Sequence, residues 1–178
     1  MSRRAAFLDR DGTLNRRPRP HEYVRSIEEF VWLPGAVEGA CRLAAAGFVL
    51  VMVSNQRGVS RGLVSRSVLQ AIEDVIQLEL ADHGCEIASF RYCFHDKAEH
   101  CECRKPKPGL LLAAARDLDL ELSASWMIGD SETDVQAGRA AGCHTGLVNP
   151  APRDTSADVC GQTLDDVSRL VLAQAATA

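Results

Sequence analysis

No stretch of this chain approaches the roughly 18 consecutive apolar residues that a membrane-spanning helix requires, so no transmembrane segment and no membrane partner are expected. A basic excess is also missing. The formal net charge is −4, whereas a nucleic-acid binder usually carries a strong positive surplus. The one basic cluster, Arg16, Arg17 and Arg19 interleaved with Pro18 and Pro20, reads either as a solvated loop or as a rim that attracts an anionic substrate. Too few apolar residues follow Met1-Ser2-Arg3-Arg4 to make a signal peptide, and a cytoplasmic location is expected. No internal repeat or low-complexity linker breaks the chain. Its 178 residues suit a single domain, 1–178, with one large core. Seven cysteines would suggest disulfides in a secreted protein. In a reducing compartment, closely spaced cysteines more often bind metal.

What is present is an alternation of strand-like and helix-like segments. Ala5 to Asp9, Phe48 to Ser54 and Trp126 to Asp130 are short apolar runs, each ending in a polar residue. Cys143 to Asn149 adds another, and Ile87 to Tyr92 a weaker one. Continuous apolar strands fit a parallel sheet buried on both faces. Helical spacing lies between them: Leu33 through Ala46, Ser65 to His83, Pro108 to Leu118, Asp134 to Ala141 and Leu164 to Ala175. Gly47, Gly84 and Gly142 follow three of these segments, where helices stop. The pattern predicts an α/β fold with helices on both faces of a parallel sheet, and ligands beyond the carboxyl ends of its strands. Residues 150–163 read as a loop.

The chemistry concentrates at those strand ends. Phe7-Leu8-Asp9-Arg10-Asp11-Gly12-Thr13 places two carboxylates two residues apart. In extended backbone such positions share a face, and Gly12 permits a sharp turn. Phosphoryl transfer needs two distinct acids, one ionised to attack phosphorus and one protonated to serve the leaving oxygen. Ser54-Asn55-Gln56 ends the second strand with a hydroxyl and backbone N–H groups able to bind a phosphoryl oxygen. Arg104-Lys105-Pro106-Lys107-Pro108-Gly109 supplies a lysine ahead of a helix. Ile128-Gly129-Asp130-Ser131-Glu132-Thr133-Asp134 supplies hard oxygen ligands of the kind Mg²⁺ takes. Asp134 reads also as a helix N-terminal acid.

In this order the four segments resemble the haloacid dehalogenase superfamily of phosphatases, over about residues 5–150. The resemblance implies a Rossmann-like fold and an aspartyl-phosphate intermediate. It implies Asp9 as nucleophile and Mg²⁺ ligand. Asp11 would be the general acid and base, also lending its backbone carbonyl to the metal. Ser54, Asn55 and Lys105 would bind the phosphoryl group, and Asp130 would bind Mg²⁺. Lys105 is preferred over Lys107 because the family lysine stands before Pro-x-Pro. The stretch from Thr13 to Leu33 is too short for a large cap, so a minimal cap is expected.

A second metal site is written into Cys93-Phe94-His95-Asp96-Lys97-Ala98-Glu99-His100-Cys101-Glu102-Cys103. Three thiols and an imidazole select Zn²⁺, and four protein ligands close a tetrahedron with no open position, which makes the role structural. Residue chemistry leaves His95 and His100 as rivals. Cys41, Cys85, Cys143 and Cys160 read as small buried or half-buried residues. The Cys-x-His…Cys-x-Cys pattern is similar to a zinc loop in the subfamily of heptose-bisphosphate 7-phosphatases and histidinol-phosphate phosphatases. That likeness favours Cys93, His95, Cys101 and Cys103 as ligands. Asn55-Gln56-Arg57-Gly58-Val59-Ser60-Arg61-Gly62, Lys105 to Leu110, and Tyr23-Val24 look more like the heptose group. Arg57, where that group often has a small residue, and the stretch 16–20 depart from its pattern. The implied substrate is a small phosphorylated sugar carrying two phosphates. Tyr23 would line its site, with Arg104 and Arg61 at the far phosphate. A monomer is expected.

Overall fold

The computed structural model describes residues 3–149 and 155–175. Strand β1 (Ala5–Leu8) consists of four buried apolar residues. A strand without a polar face must be covered on both sides, and the parity of its side chains shows how. Ala6 and Leu8 join Leu50 and Met52 of β2 (Val49–Asn55) in one core, roofed by α1 (Ala36–Ala45), α2 (Arg66–Asp82) and α5 (Leu164–Ala175). Ala5 and Phe7 join Val51 and Val53 in the opposite core, under α3 (Gly109–Leu118) and α4 (Glu132–Ala141). Each fully buried Phe or Leu here contributes about 1.5–3 kcal/mol of hydrophobic stabilisation.

The remaining strands are β3 (Ser89–Cys93), β4 (Trp126–Gly129), β5 (His144–Val148) and β6 (Val159–Gly161). The six strands run in the order β3-β2-β1-β4-β5-β6, and every pairing is parallel. The chain builds outward from β1 in one direction and then returns to its other side. The switch point therefore falls between β1 and β4, where doubly wound sheets open a crevice at their carboxyl ends. Leu8 is in register with Ile128, and the Asp9 amide donates to the Ile128 carbonyl at 2.9 Å. Asp9 and Asp130 thus leave adjacent strands at one edge of that crevice.

This is the Rossmann-like α/β architecture expected, with helices on both faces. Between β1 and α1 there is only a single short 3-10 turn, Ile27–Glu29, and no cap domain. The structure corrects one expectation and adds to another. The stretch 150–163 is not all loop, because Val159–Gly161 adds a sixth strand at the sheet edge; residues 150–154 lie outside the described residues. Three residues are too few for a periodic signal, so only the pairing with β5 reveals this strand. Cys41 and Cys85 are half-buried and buried, as expected, and in addition form a disulfide pair, 44 positions apart in sequence. No helix among the described residues is long and apolar enough to cross a membrane.

Candidate active site

Lys105 is the hub of the crevice. Its ammonium lies 2.8 Å from Asp9 Oδ1, 2.7 Å from Asp134 Oδ1 and 2.8 Å from the Val53 carbonyl. The residue is 4% exposed, so these partners must supply what water would otherwise give. Burial alone would lower its pKa; the carboxylates of Asp134 and Asp9 more than offset this and hold it above the usual lysine value. Lys107 lies outside the crevice, paired with Glu102 on the surface.

Three carboxylates, of Asp9, Asp130 and Asp134, bring one oxygen each within 4.8 Å of one another. Burial, opposed by Lys105 and reinforced by Asp134 and Asp11, raises the Asp9 carboxyl to about 6. Burial and the neighbouring Asp9 raise Asp130 to about 7, against the pull of Arg17. The shifts record too little positive charge for the acids gathered there. Hard oxygen donors with surplus negative charge suit Mg²⁺, which usually takes one or two carboxylates and keeps several waters. Asp134 is the least available of the three. Its Oδ1 holds Lys105, and its Oδ2 accepts from the Ser131 amide at 3.1 Å and the Ser131 hydroxyl at 2.6 Å. It is both the helix N-terminal acid expected and the anchor of Lys105. Asp9 and Asp130 remain as the carboxylates that fit the ion.

Two glycines make this crowding possible. A Cβ on Gly12 would stand 1.8 Å from Asp130 Oδ2, and its φ of +94° is itself unfavourable for other residues. A Cβ on Gly129 would meet the Asp134 carboxyl carbon at 2.3 Å.

Asp11 lines the same 140 Å³ cavity as Asp9, Ser54, Asn55 and Lys105. Its carboxylate accepts from Arg10, Asn15 and Gln56. Ser54 Oγ accepts from Gln56 Nε2 at 3.0 Å, which leaves the serine's own proton to be donated elsewhere. Asn55 is used differently from expectation. Its side chain clasps the Lys105 backbone, accepting from its amide and donating to its carbonyl, both at 3.1 Å. Any contact of Asn55 with a phosphoryl group therefore falls to its backbone N–H.

The structure brings Cys93, His95, Cys101 and Cys103 together and leaves His100 out. The Cys93–Cys101 and Cys101–Cys103 sulfurs are 3.6 Å apart, and His95 Nδ1 lies 3.6 Å and 3.2 Å from Cys93 and Cys103. A tetrahedral Zn²⁺ with sulfur bonds of about 2.3 Å requires edges of about 3.6–3.8 Å, so the donor set fits.

Of the expected substrate contacts, Arg104 lines a cavity of about 450 Å³. That cavity shares Asn55, Lys105 and Thr133 with the smaller one and so adjoins it. Arg61 is instead paired with Asp96 at 2.6 Å. The Tyr23 hydroxyl accepts from Arg57 Nε at 3.0 Å, and the residue lines a separate cavity with Arg16, Arg17 and Glu22. Sequence reasoning gave no individual role to Arg10, Gln56 or Arg17. Arg17, from the basic stretch read as loop or rim, ion-pairs with Asp130 and lines the catalytic cavity. An arginine set between two acids at the end of an apolar strand was the available signal for Arg10.

The Hydrolase_like family model (HAD-hydrolase-like) matches residues 102–156. The D-glycero-beta-D-manno-heptose-1,7-bisphosphate 7-phosphatase of Pasteurella multocida is 39% identical, over 78% of this chain and 77% of its own. The one from Yersinia pestis is 34% identical over 96% of both chains. Among solved structures, the D,D-heptose 1,7-bisphosphate phosphatase of B. bronchiseptica, complexed with magnesium and phosphate, superposes with a TM-score of 0.84 at 32% identity, covering 96% of this chain and 99% of that one. Its counterpart from Burkholderia thailandensis gives 0.68 at 25% identity, with the same coverage.

Proposed function

This chain belongs to the haloacid dehalogenase-like phosphatases, and from that premise we propose that it removes the 7-phosphate of D-glycero-D-manno-heptose 1,7-bisphosphate by way of an aspartyl-phosphate. One observation carries the chemistry: Asp9, Lys105 and Ser54 line a single cavity, with Asp130 at its edge. An Asp9 oxygen attacks phosphorus and the bond to the sugar oxygen breaks. The leaving oxygen takes its proton from Asp11. Water then attacks the phosphoryl group, Asp11 takes the water proton, and the bond to Asp9 breaks. Lys105 and the Ser54 hydroxyl hold the phosphoryl oxygens as their charge develops. Mg²⁺, held by Asp9 and Asp130 with the Asp11 backbone carbonyl, would neutralise charge on the phosphoryl group. Zn²⁺ on Cys93, His95, Cys101 and Cys103 would be structural. The reading places the enzyme in the cytoplasm, where free thiols remain available as metal ligands, with the Cys41–Cys85 bond as the exception in this chain.

The substrate assignment rests on charge. The larger cavity is lined by Lys97 and Arg104, with Lys107 already paired to Glu102 and Asp96 to Arg61, a balance that suits a second phosphate and disfavours the cationic end of histidinol phosphate. Arg104 is its main anchor, through paired hydrogen bonds. Arg61, already neutralised by Asp96, contributes less. The test is kcat/KM for the bisphosphate over that for histidinol phosphate. We expect a ratio well above one that falls in Arg104→Ala. A ratio below one in the unmodified enzyme overturns the heptose assignment.

A further inference from the structure

We propose that Arg10 is a positioning residue for the proton transfers of Asp11, clamping one carboxylate oxygen so that the other gives and takes the proton. The inference rests on the reading of Asp11 as general acid and base. Arg10 is the largest fully buried side chain of the described residues, at 0% exposure. A guanidinium taken wholly out of water demands an anionic partner, and it has taken Asp11.

The two Asp11 oxygens are treated unequally. Oδ1 accepts from Arg10 Nε at 3.1 Å, Arg10 Nη2 at 2.9 Å and Asn15 Nδ2 at 3.0 Å. Oδ2 accepts from Arg10 Nη2 at 2.9 Å and Gln56 Nε2 at 3.0 Å. Oδ1 thus holds three donors and Oδ2 two, one of them the Arg10 Nη2 it shares with Oδ1, so Oδ2 has the lighter hold. The Gln56 amide divides its two protons between Asp11 Oδ2 and Ser54 Oγ, the latter also at 3.0 Å. It therefore ties the proton-exchanging oxygen to the hydroxyl that faces the phosphoryl group. With Oδ1 clamped, the carboxyl cannot turn over, and proton transfer depends on such alignment.

The arrangement is a poor way to gain stability. Arg10 Nη1 and Asn15 Oδ1 are buried without a hydrogen-bond partner in the protein, a cost that well-packed apolar residues would not carry. A positioning role explains why the pair is there.

The test separates phosphoryl transfer that needs a proton from transfer that does not. A sugar phosphate has an alkoxide leaving group; p-nitrophenyl phosphate leaves as a phenolate without help. Arg10→Lys keeps the charge but loses the fork. We expect its kcat on the sugar phosphate to fall by about 30-fold or more, within the range general acid–base catalysis supplies. KM should change by less than about threefold, and the first-turnover burst of p-nitrophenolate should be retained within about fivefold. Gln56→Met leaves the buried ion pair in place and should show the same split, more weakly; it decides the matter if circular dichroism shows Arg10→Lys unfolded. Parallel loss on both substrates in folded variants, or no loss on either, overturns the proposal. Asp11→Asn is the reference. If it shows the split and the other two variants do not, the positioning role alone fails. If Asp11→Asn shows none, the assignment of Asp11 fails and the proposal with it.

Discussion

Deprived of Mg²⁺, this protein should lose stability as the pH rises from about 5 to about 8, the window set by its raised carboxyls. Asp130 is the main cause. Its carboxyl is raised from 3.8 to about 7 in the folded chain. An acid whose pKa is raised by folding binds more protons folded than unfolded between those two values. The penalty is absent below the unfolded value, grows as the pH climbs towards the folded one and is complete above it. At about 1.4 kcal/mol per unit, the roughly two units from pH 5 to the folded value correspond to about 3 kcal/mol. Asp9, raised to about 6, acts with the same sign. Part of the Asp130 shift is the charge of Asp9 itself, so the two are not added as independent groups. Glu73, also raised by burial, adds in the same direction. The lowered carboxyls of Asp96, Asp117, Glu121, Glu132 and Asp165 act oppositely, but they have finished titrating below about pH 5. Urea unfolding after dialysis into Mg²⁺-free buffer, without a chelator so that thiolate-bound metal stays, measures the slope. Adding Mg²⁺ should stabilise more at the high end than at the low, because it competes with protons for the same oxygens. A Mg²⁺-free stability that is flat or rising across the window refutes the reasoning.

Asp9→Asn should abolish turnover, since an amide is a poor nucleophile and a weaker metal ligand; activity within tenfold of the unmodified enzyme would sink the assignment. Elemental analysis after dialysis should find about one zinc per chain for the single four-ligand shell, and Cys101→Ser should lower melting temperature and phosphatase activity together. Gly12→Ala, which drives a methyl group into the Asp130 carboxylate, should weaken Mg²⁺ binding at least about tenfold by calorimetry, on the scale of lost support for a metal ligand. Thiol labelling of the denatured, zinc-free, unreduced protein should count five free cysteines out of seven; seven would remove the Cys41–Cys85 bond.

Much of this was readable from the amino-acid sequence because both strand cores and strand ends are local features. Ala-Ala-Phe-Leu has no polar face, so it declares a doubly covered strand, and the acids that follow it must sit at its carboxyl end. The candidate zinc ligands were readable for the same reason, three thiols within one short loop, although residue chemistry alone left His95 and His100 as rivals. What escaped were contacts between residues far apart in the chain. Nothing near Cys41 announces Cys85, and nothing near Arg17 announces Asp130. The Asn55 clasp on Lys105 spans 50 positions, so an amide at a strand end read as a phosphate contact turned out to have spent its side chain. Val159–Gly161 was hidden by its brevity, visible only once β5 offered an edge.

That clasp has a consequence for how the molecule can vary. Asn55 fixes the backbone of Lys105 directly to the end of β2, and Cys103 is gathered to the end of β3 through the thiol cluster. The span from His95 to Cys101, around the turn at Lys97–Glu99, is therefore moored at both ends by the thiol cluster. Lys97 and His100 face the larger cavity from within that span, beside Asp96, whose side chain caps the turn and holds Arg61. Lys97 and His100 are the positions where new substrate preferences can be tried by exchange, in evolution or in the laboratory, without disturbing the lysine proposed to meet the phosphoryl group.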